Sequence, residues 1–220
     1  IYTLSLHDAL PISSLDFALA LEKANQINAY NETRKDLDKS MTEEATKLVV
    51  DKESLNQRRS IVIYNEKWHK GVIGIVASRL METYYRPAVV LTRTEELATG
   101  SARSVIGFDV YKAIESCRDL LENFGGHTYA AGLSMKIENV AEFARRFEAY
   151  VAEHIAQEQT SPVLNIDALI DFKDITPKFH ADLKKFNPFG PDNHKPVFCT
   201  HHVYDYGDRK STRLNSSHLR

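Results

Sequence analysis

The sequence predicts an α/β domain that follows a long helix and precedes the start of a β-rich domain. Three observations carry this. Apolar runs of strand length alternate with stretches of helical period over residues 59–158. Residues 15–57 are charge-rich, helical in pattern and free of Gly and Pro. After a polar break at Gln157–Pro162 the apolar runs become strand-like again.

In chain order, Leu15–Gln57 reads as a long connecting helix followed by a shorter one. Ser40 and Glu43 have the spacing of a capping box, which predicts a break near Lys39 and a restart. The polarity of this stretch suits a strut between domains better than a core element. "RSIVIYNE" (59–66) is a β-branched apolar run and predicts a strand. Ile73, Val76, Ala77, Leu80 and Tyr84 recur at helical spacing. "PAVVLTRT" (87–94) predicts a second, buried strand, and "ATGSARSV" (98–105) a third, paired to it through the "EELATG" turn. Asp109 is a candidate N-cap for a helix whose apolar stripe is Val110, Ile114, Cys117, Leu121 and Phe124. "NFGGHTYAAG" (123–132) is expected to be the loop leaving that helix, ahead of a strand "LSMKI" (133–137). Asn139 with Glu142 is expected to cap a helix buried through Phe143, Phe147, Tyr150 and Val151.

Beyond the break, "VLNIDALIDF" predicts a strand and "TPKFHADLKKF" a short helix with Thr176 at the N-cap and Pro177 at N1. "NPFGPDNHKP" is turn-rich, and "VFCTHHVYDYG" predicts another strand. Residues 1–14 and 209–220 look like translated sequencing-adapter read-through and are set apart as foreign tails.

A formal net charge of −2 gives no global case for nucleic-acid binding, so that case must be local. It is uneven: Arg58, Arg59, Lys67, Lys70, Arg79 and Arg86 face only Glu66 and Glu82 across residues 58–86, while residues 137–175 are strongly acidic. Cys117 and Cys199 match no metal or redox spacing, and Cys117 falls on an apolar helix face. This usage fits a reducing cytosol and predicts a cytoplasmic protein. No apolar run approaches the roughly 18 residues of a membrane helix, so no membrane association is expected. Residues 1–14 carry no basic start of a secretory signal.

Metal chemistry finds little support. The histidines form no H-E-x-x-H spacing, His201 and His202 are adjacent in an expected strand and would face opposite ways, and paired aspartates are absent from residues 59–136. No catalytic residue and no bound metal are therefore expected within this chain. Anion binding fits better. In "FGGH", Gly125 and Gly126 at a helix exit would turn successive amides into one concavity, with His127 as a further donor. A glycine C-cap followed by a core histidine is the equal alternative for this loop alone. In "KWHKG", Lys67, His69 and Lys70 offer donors before a helix N-terminus, and Trp68 either stacks on a base or packs inward. "GSARS" adds Arg103 between the hydroxyls of Ser101 and Ser104, and a guanidinium can donate twice to one phosphate. Three such segments together favour a phosphate-backbone surface.

"WHKGVIGIVASRL", "GSARS", "FGGHTYAAG" and "NPFGP", in this order, resemble the bacterial RecJ family of the DHH phosphoesterase superfamily. The resemblance runs from Leu15 to Gly207. It implies a single-strand-specific 5′-to-3′ DNA exonuclease acting in DNA repair and recombination. A DHH domain would carry manganese or magnesium, a connecting helix would lead to a DHH-associated domain, and an oligonucleotide-binding (OB) barrel would follow. It assigns 15–57 to the end of the DHH domain and the connecting helix, 58–158 to the DHH-associated domain and 162–208 to a partial OB-type barrel. Single-stranded DNA is the implied partner, contacted by Gly125, Gly126, His127, Arg103 with its serines, and the Trp68–Lys70 loop. No D-H-H motif is present, so the metal-bearing part is expected to be missing from this chain. Asp192 departs from the family loop, which carries a second glycine there. Two other classes stay open: a nucleic-acid-binding module without nuclease activity, similar to the C-terminal part of alanyl-tRNA synthetase, and a small-nucleotide DHH phosphoesterase.

Overall fold

The computed structural model describes residues 16–50 and 58–204. Both expected foreign tails lie outside these, as does the expected helical stretch 51–57. Two compact units divide at Ser161/Pro162.

The first unit is built on a five-stranded sheet of order β1-β2-β3-β5-β4, comprising β1 (Ile61–Tyr64), β2 (Ala88–Thr94), β3 (Leu97–Arg103), β4 (Leu121–His127) and β5 (Ala130–Lys136). Only β1 and β2 run parallel, joined by helix α2 (Ile73–Tyr84). α2 forms as its spacing predicts, with Ile73, Val76, Ala77 and Leu80 buried, and it ends at Tyr85 in the left-handed region. Helices α3 (Val110–Glu115) and α4 (Val140–His154) cover the opposite face. There Val89, Leu91, Ala98, Ala102, Leu133 and Met135 meet Ile114, Phe143, Phe147 and Val151 in one core. On the α2 side, Ile61, Ile63, Ala88 and Val90 form a second core with α2 and with Met41, Ala45 and Val49 of the long helix α1 (Phe17–Val50). β1 and β2 are thus covered on both faces, β3 is flanked by α2 on its second face, and β5 and β4 are covered on one.

Several expectations change. α1 runs unbroken, with no restart at Ser40: Met41, Ala45 and Val49 dock on the domain while Asp38 pairs with Arg79 at 2.6 Å. That docking outweighs a local capping signal. α3 starts at Asp109, whose Oδ1 accepts the Lys112 amide at 3.2 Å, but it ends at Glu115. Leu121 and Phe124 reach the same core from strand β4, because β5 offers an edge whose ladder is worth more than a helix continued into Gly-Gly. "NFGGH" is therefore strand, not loop. Asn139 makes no side-chain cap; its Nδ2 donates to the Leu120 carbonyl at 2.9 Å. Glu142 instead binds Arg145 and Arg146, whose hydrogen bonds hold its carboxyl down at about 2. Glu148 of α4 accepts the Arg59 and Ser60 amides and the Ser60 hydroxyl, tying α4 to the start of β1.

In the second unit the expected strands shrink to a parallel pair, β6 (Ala168–Leu169) and β7 (Phe198–Cys199). Helix α5 (Pro177–Lys184) begins as expected, Thr176 Oγ1 accepting the Phe179 amide at 3.1 Å with Pro177 in the first turn. His201 and His202 lie in a bend beyond β7 rather than on opposite faces of a strand, and their ring centroids are 6.3 Å apart. Asp192 occupies φ 62 in a turn closed by the Asn193 amide on the Gly190 carbonyl at 3.1 Å. This backbone region favours glycine. Asp192→Gly is expected to stabilise the unit by roughly 1 kcal/mol, read as a higher urea midpoint of the chain.

Candidate nucleic-acid interface

Side chains alternate across a strand, so the pairing register places three rows on the face of β3, β5 and β4 opposite α3 and α4, bordered by α2 at β3. Arg103, Ala130 and His127 form one row; Ser101, Gly132 and Gly125 the next; Thr99, Ser134 and Asn123 the third. Neighbouring strands lie about 4.8 Å apart, so Arg103 and His127 begin roughly 10 Å from each other. The third row, with Lys70, Thr94 and Glu95, lines a groove of about 560 Å³. Small residues keep this face shallow, and its polar groups are single hydroxyls, amides and cations, with the Glu95 carboxylate at the groove.

Arg103 is the best-defined member. Its Nη1 donates to Ser101 Oγ and to the Ala102 carbonyl, both at 2.8 Å, which fixes the guanidinium plane. No carboxylate among the described residues pairs with it, and burial pushes its pKa down. A partly desolvated cation bonded only to neutral oxygens gains from an incoming anion. His127 is exposed at the end of β4, and its Nδ1 accepts the Tyr129 amide at 3.3 Å. In the neutral ring the proton then sits on Nε2, as a donor.

The two glycines differ. A Cβ on Gly125 would meet nothing within 4 Å, so this position is open to a ligand. Gly126, at φ 153, packs directly on β5, where a Cβ would stand 2.3 Å from the Ala130 carbonyl oxygen. The expected amide concavity at a helix exit is absent, since both glycines sit in a β ladder.

Three other expected contacts change. Ser104 is buried and donates to the Phe108 carbonyl at 2.7 Å, on the face turned away from Arg103. Trp68 is 4% exposed and cannot stack on a base; its Nε1 donates to Glu44 Oε2 at 2.9 Å, and its carbonyl accepts Thr92 Oγ1 at 2.6 Å. His69 Nδ1 accepts the Gly71 amide at 3.0 Å, and burial pushes its pKa down, so it shapes the loop as a neutral ring. Lys67 and Lys70 are exposed, and Lys70 lines the groove. Thr99, Asn123, Gly132 and Ser134 were not singled out from the sequence. The period-two patterns T-x-S-x-R and N-x-G-x-H, read as strands, would have revealed Thr99 and Asn123.

Among the described residues, no three His, Cys, Asp or Glu side chains gather to hold a metal ion. No described helix is long and apolar enough to cross a membrane.

The first unit is thus a mixed sheet with α3 and α4 on one face, α1 and α2 over part of the other, and Arg103, His127 and Lys70 around the part of that second face left open. Residues 57–153 match the DHHA1 domain and residues 166–220 the RecJ OB domain. The chain is 38% identical over 212 residues to the single-stranded-DNA-specific exonuclease RecJ of Bacillus subtilis, covering 95% of this chain and 26% of that protein. The Haemophilus influenzae exonuclease of the same name is 30% identical over 93% of this chain and 36% of its own length. The crystal structure of RecJ in complex with Mg2+ from Thermus thermophilus superposes with a TM-score of 0.76 at 27% identity, covering 87% of this chain and 29% of that one. The chain thus carries a DHHA1 domain and a RecJ OB domain, is similar to RecJ exonucleases, and spans about a quarter to a third of the length of these relatives.

Proposed function

We propose that this chain is the substrate-holding part of a cytoplasmic, RecJ-type single-strand-specific 5′-to-3′ exonuclease of DNA repair and recombination. The observation that carries this is the convergence of Arg103, Ser101, Gly125 and His127 on one sheet face beside α2, with Lys70 at the adjoining groove. The Arg103 guanidinium and the His127 ring would grip phosphate oxygens of a single strand and hold the scissile phosphate in place. Gly125 leaves room for the backbone to approach. Positioning of this kind matters because reaction rates fall steeply with small misplacements of the reacting atoms. The Mg2+ or Mn2+ that activates water in such phosphoesterases would be held by a DHH domain outside this sequence, since the residues described here do not fit one.

The test is titration of a labelled 5′-phosphorylated oligodeoxynucleotide with the purified chain at several salt concentrations. Binding that weakens with salt, at a log–log slope of roughly −0.7 for each phosphate neutralised, is expected, with no nucleotide release in added Mn2+. A flat salt response removes the phosphate-surface reading, and metal-dependent release of nucleotides removes the division of labour.

A further inference from the structure

Gly74 stands in the first turn of α2, between buried Ile73 and the inward-facing Val76 and Ala77. Glycine is a poor helix former, and no turn or left-handed conformation requires it here. What it meets is the binding face. A Cβ on Gly74 would lie 3.0 Å from Arg103 Nη2 and 3.2 Å from Ser101 Oγ, with the guanidinium carbon at 3.8 Å. Arg103 Nη1 is occupied by Ser101 Oγ and the Ala102 carbonyl, whereas no described residue accepts a hydrogen bond from Nη2. The free edge of the guanidinium therefore passes through the space that the missing methyl leaves.

We propose that Gly74 is a positioning residue for Arg103: its lack of a side chain lets the guanidinium lie flat against α2, held by Ser101, with Nη2 directed to a phosphate. This rests on Arg103 being a phosphate contact. Among the neighbours of the added methyl, the far end of a long flexible side chain yields most easily. Gly74→Ala therefore leaves the helix sound and displaces the arginine. Stability and binding should move in opposite directions, which a purely structural glycine cannot produce.

The experiment compares wild type, Gly74→Ala, Arg103→Ala and the double variant in the full chain. Melting is followed by the fluorescence of Trp68, the one tryptophan, and binding by titration with a 5′-phosphorylated single strand. Gly74→Ala is expected to raise the melting temperature by roughly 2 °C. It is expected to weaken binding about three- to tenfold. In the Arg103→Ala background the same change should have no effect on binding, since the group it displaces is gone. Three outcomes overturn the proposal: binding unchanged in Gly74→Ala, a lowered melting temperature with binding intact, or an equal loss of binding with and without Arg103. In all three the phosphate reading survives if Arg103→Ala alone binds weakly. If Arg103→Ala binds as wild type, that reading fails and the positioning role fails with it.

Discussion

Arg103→Ala should weaken binding of a 5′-phosphorylated single strand by about 10- to 100-fold, the worth of one charge-assisted hydrogen-bonded pair. It should also reduce the salt slope by roughly 0.7, the signature of one fewer phosphate neutralised along a single strand. Stability should hold or rise slightly. In the free protein the guanidinium is partly desolvated, has no carboxylate partner among the described residues, and bonds only to a hydroxyl and a carbonyl. Removing it relieves that desolvation at the expense of two hydrogen bonds to neutral oxygens. Arg103→Lys should recover part of the salt slope but little of the affinity, because an ammonium cannot reproduce the planar fork that Ser101 orients. Unchanged affinity and slope in Arg103→Ala would show that the strand does not use this row. A large fall in the melting temperature would instead make Arg103 a structural residue.

The order of elements was legible from periodicity wherever packing and local preference agree. α2, β2 and the β2–β3 pair follow directly from apolar spacing and a turn, and Asp109 and Thr176 cap as their side chains suggest. The misses share one physical cause, which is that a distant partner decided a local choice. Ser40 and Glu43 have cap chemistry, but α1 continues because its apolar stripe docks on α2 and β1. Trp68 sits in a polar loop, and its burial depends on Glu44, twenty-four residues earlier on another helix. Gly-Gly after an apolar helical stripe reads as a helix exit. It is strand because β5 lies alongside, a pairing that no window of sequence around Gly125 contains. The candidate site was partly legible for the same reason. Arg103, Ser101, His127 and Gly125 could be chosen as chemistry, while the face that unites them, and removes Ser104 and Trp68, exists only in the sheet.

The adjacent glycines separate the two roles that sequence could not. Gly126→Ala should destabilise the domain by roughly 2–5 kcal/mol, combining backbone strain at a glycine-only conformation with overpacking against a paired strand. The added carbon would stand 2.3 Å from the Ala130 carbonyl oxygen, 2.5 Å from Ala131 Cα and 2.7 Å from Ala131 Cβ. Backbone atoms of β5 cannot turn aside as a side chain can, so relief requires prying the β4–β5 hairpin open. Gly125→Ala, one residue earlier, should change stability by no more than about 0.5 kcal/mol, since its Cβ meets nothing within 4 Å and surface changes of this kind are mild. Its effect should appear in binding, because the methyl would rise from the row shared with Ser101 and Gly132, over which the proposed binding mode brings the phosphate backbone. Urea unfolding followed by Trp68 fluorescence, beside the single-strand titration, measures both quantities on the same samples. Equal destabilisation by the two substitutions would contradict the assignment of Gly125 to the open face. A stable Gly126→Ala would mean that β4 is not held against β5 as described, and His127, at the end of that strand, would lose its fixed place opposite Arg103.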